Sequence, residues 1–283
     1  MRSILICLIL SLFAATSVAA ELKLSESQKK NASFKGHFEL GEGYGAKGRF
    51  DDAVKEFKRA AFVEPKDYQV HYNLCWNLWK LKRFSEAANY CKIASKIKSK
   101  DPKVHNLLGA VYEGMGKNKW AVKEYERSVG LKPEFVEAHM NLGRVLDAMG
   151  RFDEAIYEYN EAIRFDSSNA EAYFFLGVDY SRLDKWMDAK GAFRRSINLG
   201  AKSALVHYNL GLSYMMLRQF ERAKDAFNRS IDLDPKFADA RANLGLVYLR
   251  TGDQRMAMKQ YHALDDLDKS KAAELFQVIM KFK

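Results

Sequence analysis

One tripeptide, Asn-Leu-Gly or a close variant, recurs every 34 residues along most of this 283-residue chain. The seven copies are Glu39-Leu40-Gly41, Asn73-Leu74-Cys75, Leu107-Leu108-Gly109, Asn141-Leu142-Gly143, Phe175-Leu176-Gly177, Asn209-Leu210-Gly211 and Asn243-Leu244-Gly245. A fixed period of this length is typical of a solenoid, in which each unit buries its apolar face only against its neighbours. The period therefore predicts the architecture, but it says much less about the ligand.

Other positions recur with the tripeptide, whose leucine stands at place 7 when each unit is numbered from 1 to 34. Place 11 is apolar or aromatic, and place 20 is alanine in all seven units. Place 24 holds Phe57, Cys91, Tyr125, Tyr159, Phe193, Phe227 and Tyr261. Place 32 is proline in three units, at Pro65, Pro133 and Pro235, and place 15 is glycine at Gly48, Gly116, Gly150 and Gly252.

This combination of small and large residues at fixed offsets resembles the tetratricopeptide repeat, a helix-turn-helix unit. Leucine at place 7 and the residue at place 11 make one apolar stripe on the first helix. Small residues at places 8 and 20 allow the two helices to approach closely, and the aromatic at place 24 fills the wider gap toward the next unit. Glycine at place 15 and proline at place 32 predict the ends of the two helices.

The resemblance implies an all-α fold, a right-handed α-solenoid of seven repeats with a C-terminal capping helix. The predicted repeats span 34–67, 68–101, 102–135, 136–169, 170–203, 204–237 and 238–271, and residues 272–283 form the capping helix. Such arrays need a cap because their last apolar face would otherwise be exposed. Residues 21–33 form a polar N-terminal segment.

The first twenty residues read as a secretory signal peptide, with Arg2, an apolar run and small residues before a cleavage point after Ala20. An uncleaved membrane anchor is the alternative, although the apolar run is short for a span of about 20 residues. We therefore expect an exported protein, periplasmic or secreted, with no integral membrane segment after cleavage. In a eukaryote, the sequons at Asn31 and Asn228 would be potential glycosylation sites.

The formal net charge is +10, with a dense basic stretch between Lys80 and Lys103. Such a stretch is either a solvated helix face or a surface for an anionic partner. Nucleic acid is not expected for an exported protein. The sequence contains no phosphate loop, no nucleophile elbow and no zinc-protease motif. We therefore predict that the protein is not an enzyme and needs no cofactor.

Five of the six histidines occupy place 4 in different units, which raises the question of a metal site. They are His37, His71, His105, His139 and His207, and Tyr173 and Arg241 take the same place in the other two units. Neighbouring solenoid helices lie roughly 10 Å apart, whereas zinc needs nitrogens ~2.0–2.1 Å away. We therefore predict a structural role, a flat ring packed against the preceding unit, and no metal.

Two cysteines, Cys75 and Cys91, replace the usual residues at places 8 and 24 of the second unit. These places lie on facing helices of one hairpin, and export would allow a disulfide to form. The alternative is a pair of buried thiols that act as small apolar residues.

The family resemblance places a peptide-binding groove on the concave face, which is lined by the first helix of each unit. Asparagine at place 6 can donate and accept, so a row of asparagines can pair with an extended peptide backbone. Nearby cations could hold carboxylates, and exposed aromatics suggest anchor pockets. The predicted groove residues are Tyr72, Asn73, Trp76, Trp79, Lys80, Asn141, Arg144, Arg182, Asn209, Asn243 and Arg250. Alternatively, these rings close the groove against itself and the asparagines serve helix packing.

These features predict a non-enzymatic scaffold or adaptor that binds a protein or peptide partner in envelope assembly or secretion. The basic charge is compatible with an anionic partner. A glycan-binding accessory protein of polysaccharide or cell-wall metabolism is the alternative, because Trp76 and Trp79 could hold sugar rings.

Overall fold

The computed structural model describes residues 25–281, and the predicted signal peptide lies outside that range. The described residues contain fifteen α-helices and no strand. The helices fall into two compact units, one ending at Lys117 and the other beginning at Asn118. None of these helices combines the length and the apolar character that crossing a membrane would require.

The N-terminal unit consists of five helices. They are α1 (Glu26–Ala46), α2 (Phe50–Val63), α3 (Tyr68–Lys80), α4 (Phe84–Ile97) and α5 (Pro102–Gly114). Helices α1, α3 and α5 are first helices of repeats, and α2 and α4 are second helices. The polar segment predicted before the first repeat is helical from Glu26, because Ser25 and Gln28 form a capping box that starts α1 there.

The C-terminal unit consists of ten helices. They are α6 (Asn118–Leu131), α7 (Val136–Ala148), α8 (Phe152–Phe165), α9 (Ala170–Arg182), α10 (Trp186–Asn198), α11 (Ala204–Met216), α12 (Phe220–Leu233), α13 (Ala238–Arg250), α14 (Gln254–Asp265) and α15 (Lys269–Lys281). First helices here are α7, α9, α11 and α13. In each unit, consecutive helices along the chain pack together. First helices also contact one another, α3 with α5 in the N-terminal unit, and α7 with α9, α9 with α11 and α11 with α13 in the C-terminal unit.

The turn after every first helix passes through a left-handed residue at place 15. The four predicted glycines have φ between 70° and 80°, which confirms the expectation for Gly48, Gly116, Gly150 and Gly252. The other three repeats hold Lys82, Asp184 and Arg218 in the same conformation, with φ of 58°, 55° and 58°. A left-handed conformation costs a residue with a Cβ more than it costs glycine. The repeat geometry therefore dictates this conformation whichever residue stands there.

The closest approach within a repeat joins place 8 to place 24. A Cβ atom added to Gly177 would lie 2.7 Å from Cε1 of Phe193, and one added to Gly211 would lie 2.6 Å from Cε1 of Phe227. The aromatic side chain therefore packs over the glycine of its own repeat, and not only toward the next repeat as the sequence suggested. The outward contact exists as well, since Tyr159 stacks on Phe175 of the following repeat at 5.6 Å between ring centroids.

In the second repeat a disulfide takes the place of this glycine–aromatic contact. Cys75 of α3 and Cys91 of α4 are bonded, their Cα atoms are 5.2 Å apart, and both side chains are fully buried. The bond links the two helices of one hairpin at the point where the other repeats rely on a ring.

Helix α15 covers the apolar end of the C-terminal unit. Its residues Ala272, Leu275 and Ile279 are buried with Leu249 of α13 and Leu264 of α14. A Cβ atom added to Gly245 would lie 2.6 Å from a methyl carbon of Leu275. The cap thus packs on the place-8 glycine of the last repeat, as the place-24 aromatic ring packs on Gly177 and Gly211 in their repeats.

A carboxyl group is buried in the core of the C-terminal unit without a hydrogen bond. Asp179 of α9 is 1% exposed, and both of its oxygens lack a hydrogen-bond partner among the described residues. The nearest cation is Arg182, 3.9 Å from Oδ1, but that guanidinium donates its hydrogen bond to Asp147 of α7. Burial raises the pKa of Asp179 to about 7.

We expect Cys75 and Cys91 to be bridged in the purified mature protein. Closing a loop of 16 residues stabilises a protein by up to ~3 kcal/mol in the chain-entropy description. Thiol titration of the unfolded, unreduced mature protein should find no free cysteine, and a reductant should lower the melting temperature. Two free thiols in that titration would contradict the bridge.

Asp179 should make the protein less stable as the pH rises. Its folded pKa of about 7 exceeds the ordinary aspartate pKa of 3.8, so between these pH values the folded state binds more protons and stability falls with increasing pH. Asp179→Asn should raise the urea midpoint at pH 8 by an amount corresponding to about 1–3 kcal/mol, and should have much less effect at pH 4.5. The control is Asp188→Asn, at an exposed carboxylate of α10. Parallel pH profiles for wild type and Asp179→Asn would contradict this expectation.

Candidate functional site

The predicted groove residues of the N-terminal unit all lie on α3. Trp76 and Trp79 are partly exposed, and Lys80 is exposed. Trp76 meets Phe50 edge to face, with ring centroids 5.8 Å apart. The ammonium of Lys80 lies 5.1 Å from the ring of Trp76 and 4.9 Å from that of Trp79. Lys80 therefore forms a cation–π cluster with both indoles, which anchors its charge at the end of α3.

Two further residues of this surface, Tyr72 and Asn73, are partly exposed. The Tyr72 ring lies 5.8 Å from that of Tyr68, and the backbone carbonyl of Asn73 accepts a hydrogen bond of 2.8 Å from Asn77. The side chain of Asn73 has no hydrogen bond among the described residues, so its amide can both donate and accept. The face of α3 thus combines one available amide, three partly exposed aromatic rings and one cation.

In the C-terminal unit, the predicted asparagines lie at place 6 of α7, α11 and α13 and are partly exposed. The side-chain amide of Asn209 donates to the backbone carbonyl of Leu205 at 2.8 Å. That of Asn243 donates to the backbone carbonyl of Asp239 at 3.1 Å and to the Tyr208 hydroxyl at 3.3 Å. The amides of Asn209 and Asn243 are thus oriented by carbonyls of their own helices. The side-chain oxygens of these two residues remain available to accept a hydrogen bond from a ligand.

The predicted arginines of this unit are exposed but are already engaged. Arg144 donates to the side chain of Asn141 at 3.2 Å. Arg182 pairs with Asp147 and lies 5.2 Å above the ring of Phe152. A ligand carboxylate would have to share or displace Asp147 to reach Arg182. Arg144 and Asn141 lie side by side on α7, with the guanidinium bonded to the amide oxygen.

A cavity lies where α11, α12, α13 and α15 meet. Its volume is 520 Å³, and it is lined by Met215, Met216, Arg218, Phe220, Leu246, Leu249, Arg250 and Val278. Met216 is half exposed, and both arginines are exposed. Of the predicted groove residues the structure places only Arg250 here. The apolar lining with two guanidiniums suits an apolar segment that carries negative charge.

The sequence reasoning missed Arg218, Phe220 and Val278 as residues of this cavity. Arg218 stands at place 15, where four other repeats have glycine, and that departure was a signal that could have been read. Phe220 opens a second helix, and Val278 belongs to the cap, so neither falls at a place that lines the groove within a single repeat.

The place-4 side chains bind the chain segment that precedes their own helix. Nε2 of His71, His105 and His139 lies 2.8, 3.1 and 2.8 Å from the carbonyls of Pro65, Ser99 and Pro133. Arg241 donates to the corresponding carbonyl of Pro235 at 3.0 and 3.2 Å. Each of these side chains ties a first helix to the turn before it. Within residues 25–281, no group of three or more His, Cys, Asp or Glu side chains is arranged to hold a metal ion.

Comparison with known families and structures places the chain among repeat proteins. Sequence models of the tetratricopeptide repeat match residues 46–111, 102–135, 204–237 and 226–259, and a further TPR repeat model matches residues 143–184. No curated protein sequence gave a significant match.

Solved structures of similar fold include MamA, which is 27% identical with a TM-score of 0.56 over 59% of this chain and 97% of its own. YrrB, described as a TPR protein with an unusual peptide-binding site, is 18% identical with a TM-score of 0.61 over 67% of this chain and 99% of its own. A TPR repeat-containing protein from Cytophaga hutchinsonii is 14% identical with a TM-score of 0.72 over 84% of this chain and 98% of its own.

The 34-residue period, the paired helices and the five sequence matches agree, and this chain belongs to the tetratricopeptide-repeat family.

Proposed function

We propose that this protein is a non-enzymatic scaffold that binds an extended segment of a protein partner on its first helices. We call the surface that carries the predicted groove residues of each unit its first-helix face. The observation that carries the proposal is the arrangement of the place-6 asparagines. Asn209 and Asn243 are held by their own helices at a partly exposed surface, with acceptor oxygens left available. Such fixed amides can pair with a peptide backbone whatever its sequence.

The apolar contacts for such a segment differ between the units. In the N-terminal unit, Trp76 and Trp79 supply large aromatic surfaces that are already ordered by Phe50 and Lys80. Ordered aromatics lose little conformational entropy on binding, which favours them as anchors. In the C-terminal unit, the 520 Å³ cavity beside Arg218 and Arg250 accommodates apolar side chains next to an acidic group. These features support an anionic peptide as partner.

YrrB shares the fold and has a peptide-binding site according to its description, but at 18% identity that likeness supports the architecture rather than the residues. The glycan alternative lacks a supporting observation. A sugar ring would stack on an exposed face of an indole. The ammonium of Lys80 already lies over the rings of Trp76 and Trp79, at 5.1 and 4.9 Å from their centroids, so a sugar would compete with this cation.

We further propose that the protein acts outside the cytoplasm, in envelope assembly or secretion. Two observations support this location. The first twenty residues have the composition of a signal peptide, and the mature chain carries the disulfide between Cys75 and Cys91, which an oxidising compartment would maintain.

The asparagines should contribute to partner binding without being needed for the fold. Peptides selected from a displayed random library on the mature protein would serve as ligands, with affinity measured by calorimetry. Asn209→Ala should weaken binding of a peptide that contacts α11 by about two- to twelvefold, since a lost hydrogen bond costs ~0.5–1.5 kcal/mol. Arg144→Ala should also weaken binding, and the loss should be larger at low than at high salt because the contact of Arg144 with the peptide would be charged.

The matched control for Asn209 is Asn160→Ala on second helix α8. Asn160 is exposed, and it also donates to the carbonyl four residues earlier, Ile156, at 2.8 Å. The two variants therefore lose the same intrahelical bond. Equal affinities for Asn209→Ala and Asn160→Ala would contradict binding on the first-helix face. A fall in melting temperature for Asn209→Ala, with unchanged affinity per folded molecule, would assign this asparagine to the fold instead.

Export should remove the first twenty residues. Mass spectrometry of the protein from a native or closely related host should find a mature chain that begins at Glu21, in the fraction outside the cytoplasm. A chain that keeps residues 1–20, or one confined to the cytoplasm, would contradict the proposed location and leave the peptide-binding proposal to be judged on the affinity measurements.

A further inference from the structure

His207 differs from the other histidines at place 4. In the same unit, His139 is bonded on both sides, through Nδ1 to Glu158 at 2.6 Å and through Nε2 to Pro133 at 2.8 Å. His207 has no hydrogen bond among the described residues and is partly exposed. One substitution accounts for the missing partner of Nδ1. Place 23 of its repeat, where Glu158 stands relative to His139, is Ala226.

The turn before His207 also takes another course. Helix α10 ends at Asn198, and the chain then passes through Gly200 at φ 97°. The amide of Ala201 bonds back to the carbonyl of Ser196 at 3.2 Å. The carbonyl that would accept from the imidazole is therefore not presented to it, and the ring nitrogens of His207 remain available.

A pocket of 480 Å³ opens beside this imidazole between α10, α11 and α12. Its apolar lining consists of Leu210, Tyr214 and Ala226, all buried. Its polar lining consists of His207, Arg194, Arg222, Arg229 and Asp225. None of these residues belongs to the predicted groove, so the pocket is separate from the first-helix face.

The charges of the pocket are unbalanced. Three arginines of this unit pair with a nearby carboxylate: Arg151 with Glu154 and Arg164 with Glu161, both at 2.6 Å, and Arg182 with Asp147. Among the described residues, Arg194 and Arg229 have no such ion pair, and Arg222 contacts only the Gln219 side chain at 3.3 Å.

Three guanidiniums therefore face one carboxylate, Asp225, with the imidazole of His207 beside them. Burial lowers the pKa of His207, and the positive charge of Arg229 lowers it further. The contribution of Arg229 to this shift in pKa indicates that the imidazole lies in a positive potential in the free protein.

We propose that this pocket is a binding site for a phosphate monoester, a doubly charged tetrahedral oxyanion carried on a small apolar or aromatic body. Guanidiniums bind such groups through paired, charge-assisted hydrogen bonds. The imidazole adds a further donor, and Leu210 and Tyr214 provide an apolar surface for the body that carries the anion. The pocket exceeds the size of a bare oxyanion, which is why a monoester fits it better than the inorganic ion.

The test is calorimetry of the mature full-length protein at low ionic strength with phenyl phosphate, inorganic phosphate and sulfate. One site per chain is expected, with phenyl phosphate the tightest because its ring covers the apolar lining. Arg229→Gln should weaken phenyl phosphate binding by about tenfold or more, since it removes a charge-assisted contact. Equal affinity for phenyl phosphate and inorganic phosphate would restrict the site to the free ion and overturn the proposed ester.

A decisive variant is Ala226→Glu, which recreates beside His207 the arrangement of His139 with Glu158 and of His37 with Glu56. Two repeats already accommodate this pair, so the variant should fold with an unchanged melting curve. It should abolish oxyanion binding, because the introduced carboxylate occupies the site of the anion. The control is Asn160→Glu, which adds the same charge on exposed α8. The proposal is overturned if Ala226→Glu and Asn160→Glu bind phenyl phosphate equally, or if wild type shows no binding at millimolar concentrations.

The pH dependence separates the pocket from a diffuse basic surface. Sulfate stays doubly charged between pH 5.5 and 8, so any change in its affinity comes from the protein. A bound dianion favours the imidazolium form of His207 over the neutral form, and sulfate should therefore bind several-fold more tightly at pH 5.5 than at pH 8. His207→Gln should flatten this dependence. An equal pH dependence in the variant would exclude contact between the anion and His207.

Discussion

The structure depends on the close approach of the two helices of a repeat at places 8 and 24, which five of the seven repeats show as a glycine–aromatic contact or a disulfide. Gly177 and Gly211 lack the Cβ atom that would collide with Phe193 and Phe227, so the ring of one helix can pack directly on the backbone of the other. Protein interiors are packed so densely that such a contact cannot be relaxed at one repeat without shifting its neighbours. The same constraint explains why the substitutions at these places occur together. Where the glycine becomes Cys75, the ring becomes Cys91, and a covalent bond holds the two helices.

A second, polar interaction ties the first helix of four repeats to the turn before it. The place-4 side chain donates to a carbonyl in that turn, and histidine at His71, His105 and His139 serves this purpose as well as Arg241 does. A buried carbonyl without a donor would cost free energy, which explains the use of a donor at this place. His207 lacks this bond; the turn before it takes another course at Gly200, and a pocket opens beside its imidazole.

These two interactions leave the outer surfaces of the helices free to differ between repeats. On the first helices, amides, aromatic rings and arginines are exposed to different degrees. On the second helices of the C-terminal unit, some charges are paired within the helix, as Arg164 is with Glu161 and Lys224 with Glu221. Arg194 and Arg229 depart from that pairing, and they do so beside His207. The repeat framework thus tolerates departures that create binding surfaces, since its stability comes from contacts between neighbouring helices.

The sequence by itself determined the helical repeat, the helix-ending residues at place 15 and the family, because these follow from spacings that every repeat shares. It also placed Cys75 and Cys91 on facing helices. It did not predict the partners of individual side chains, such as Arg182 with Asp147, the buried carboxyl of Asp179 or the cavity that Arg218 shares with the capping helix. Arg182 and Asp147 are 35 positions apart in the chain, and all of these features depend on which side chains face each other once the helices have packed. A period reports what repeats have in common, whereas only the tertiary structure decides the contacts that a single repeat makes.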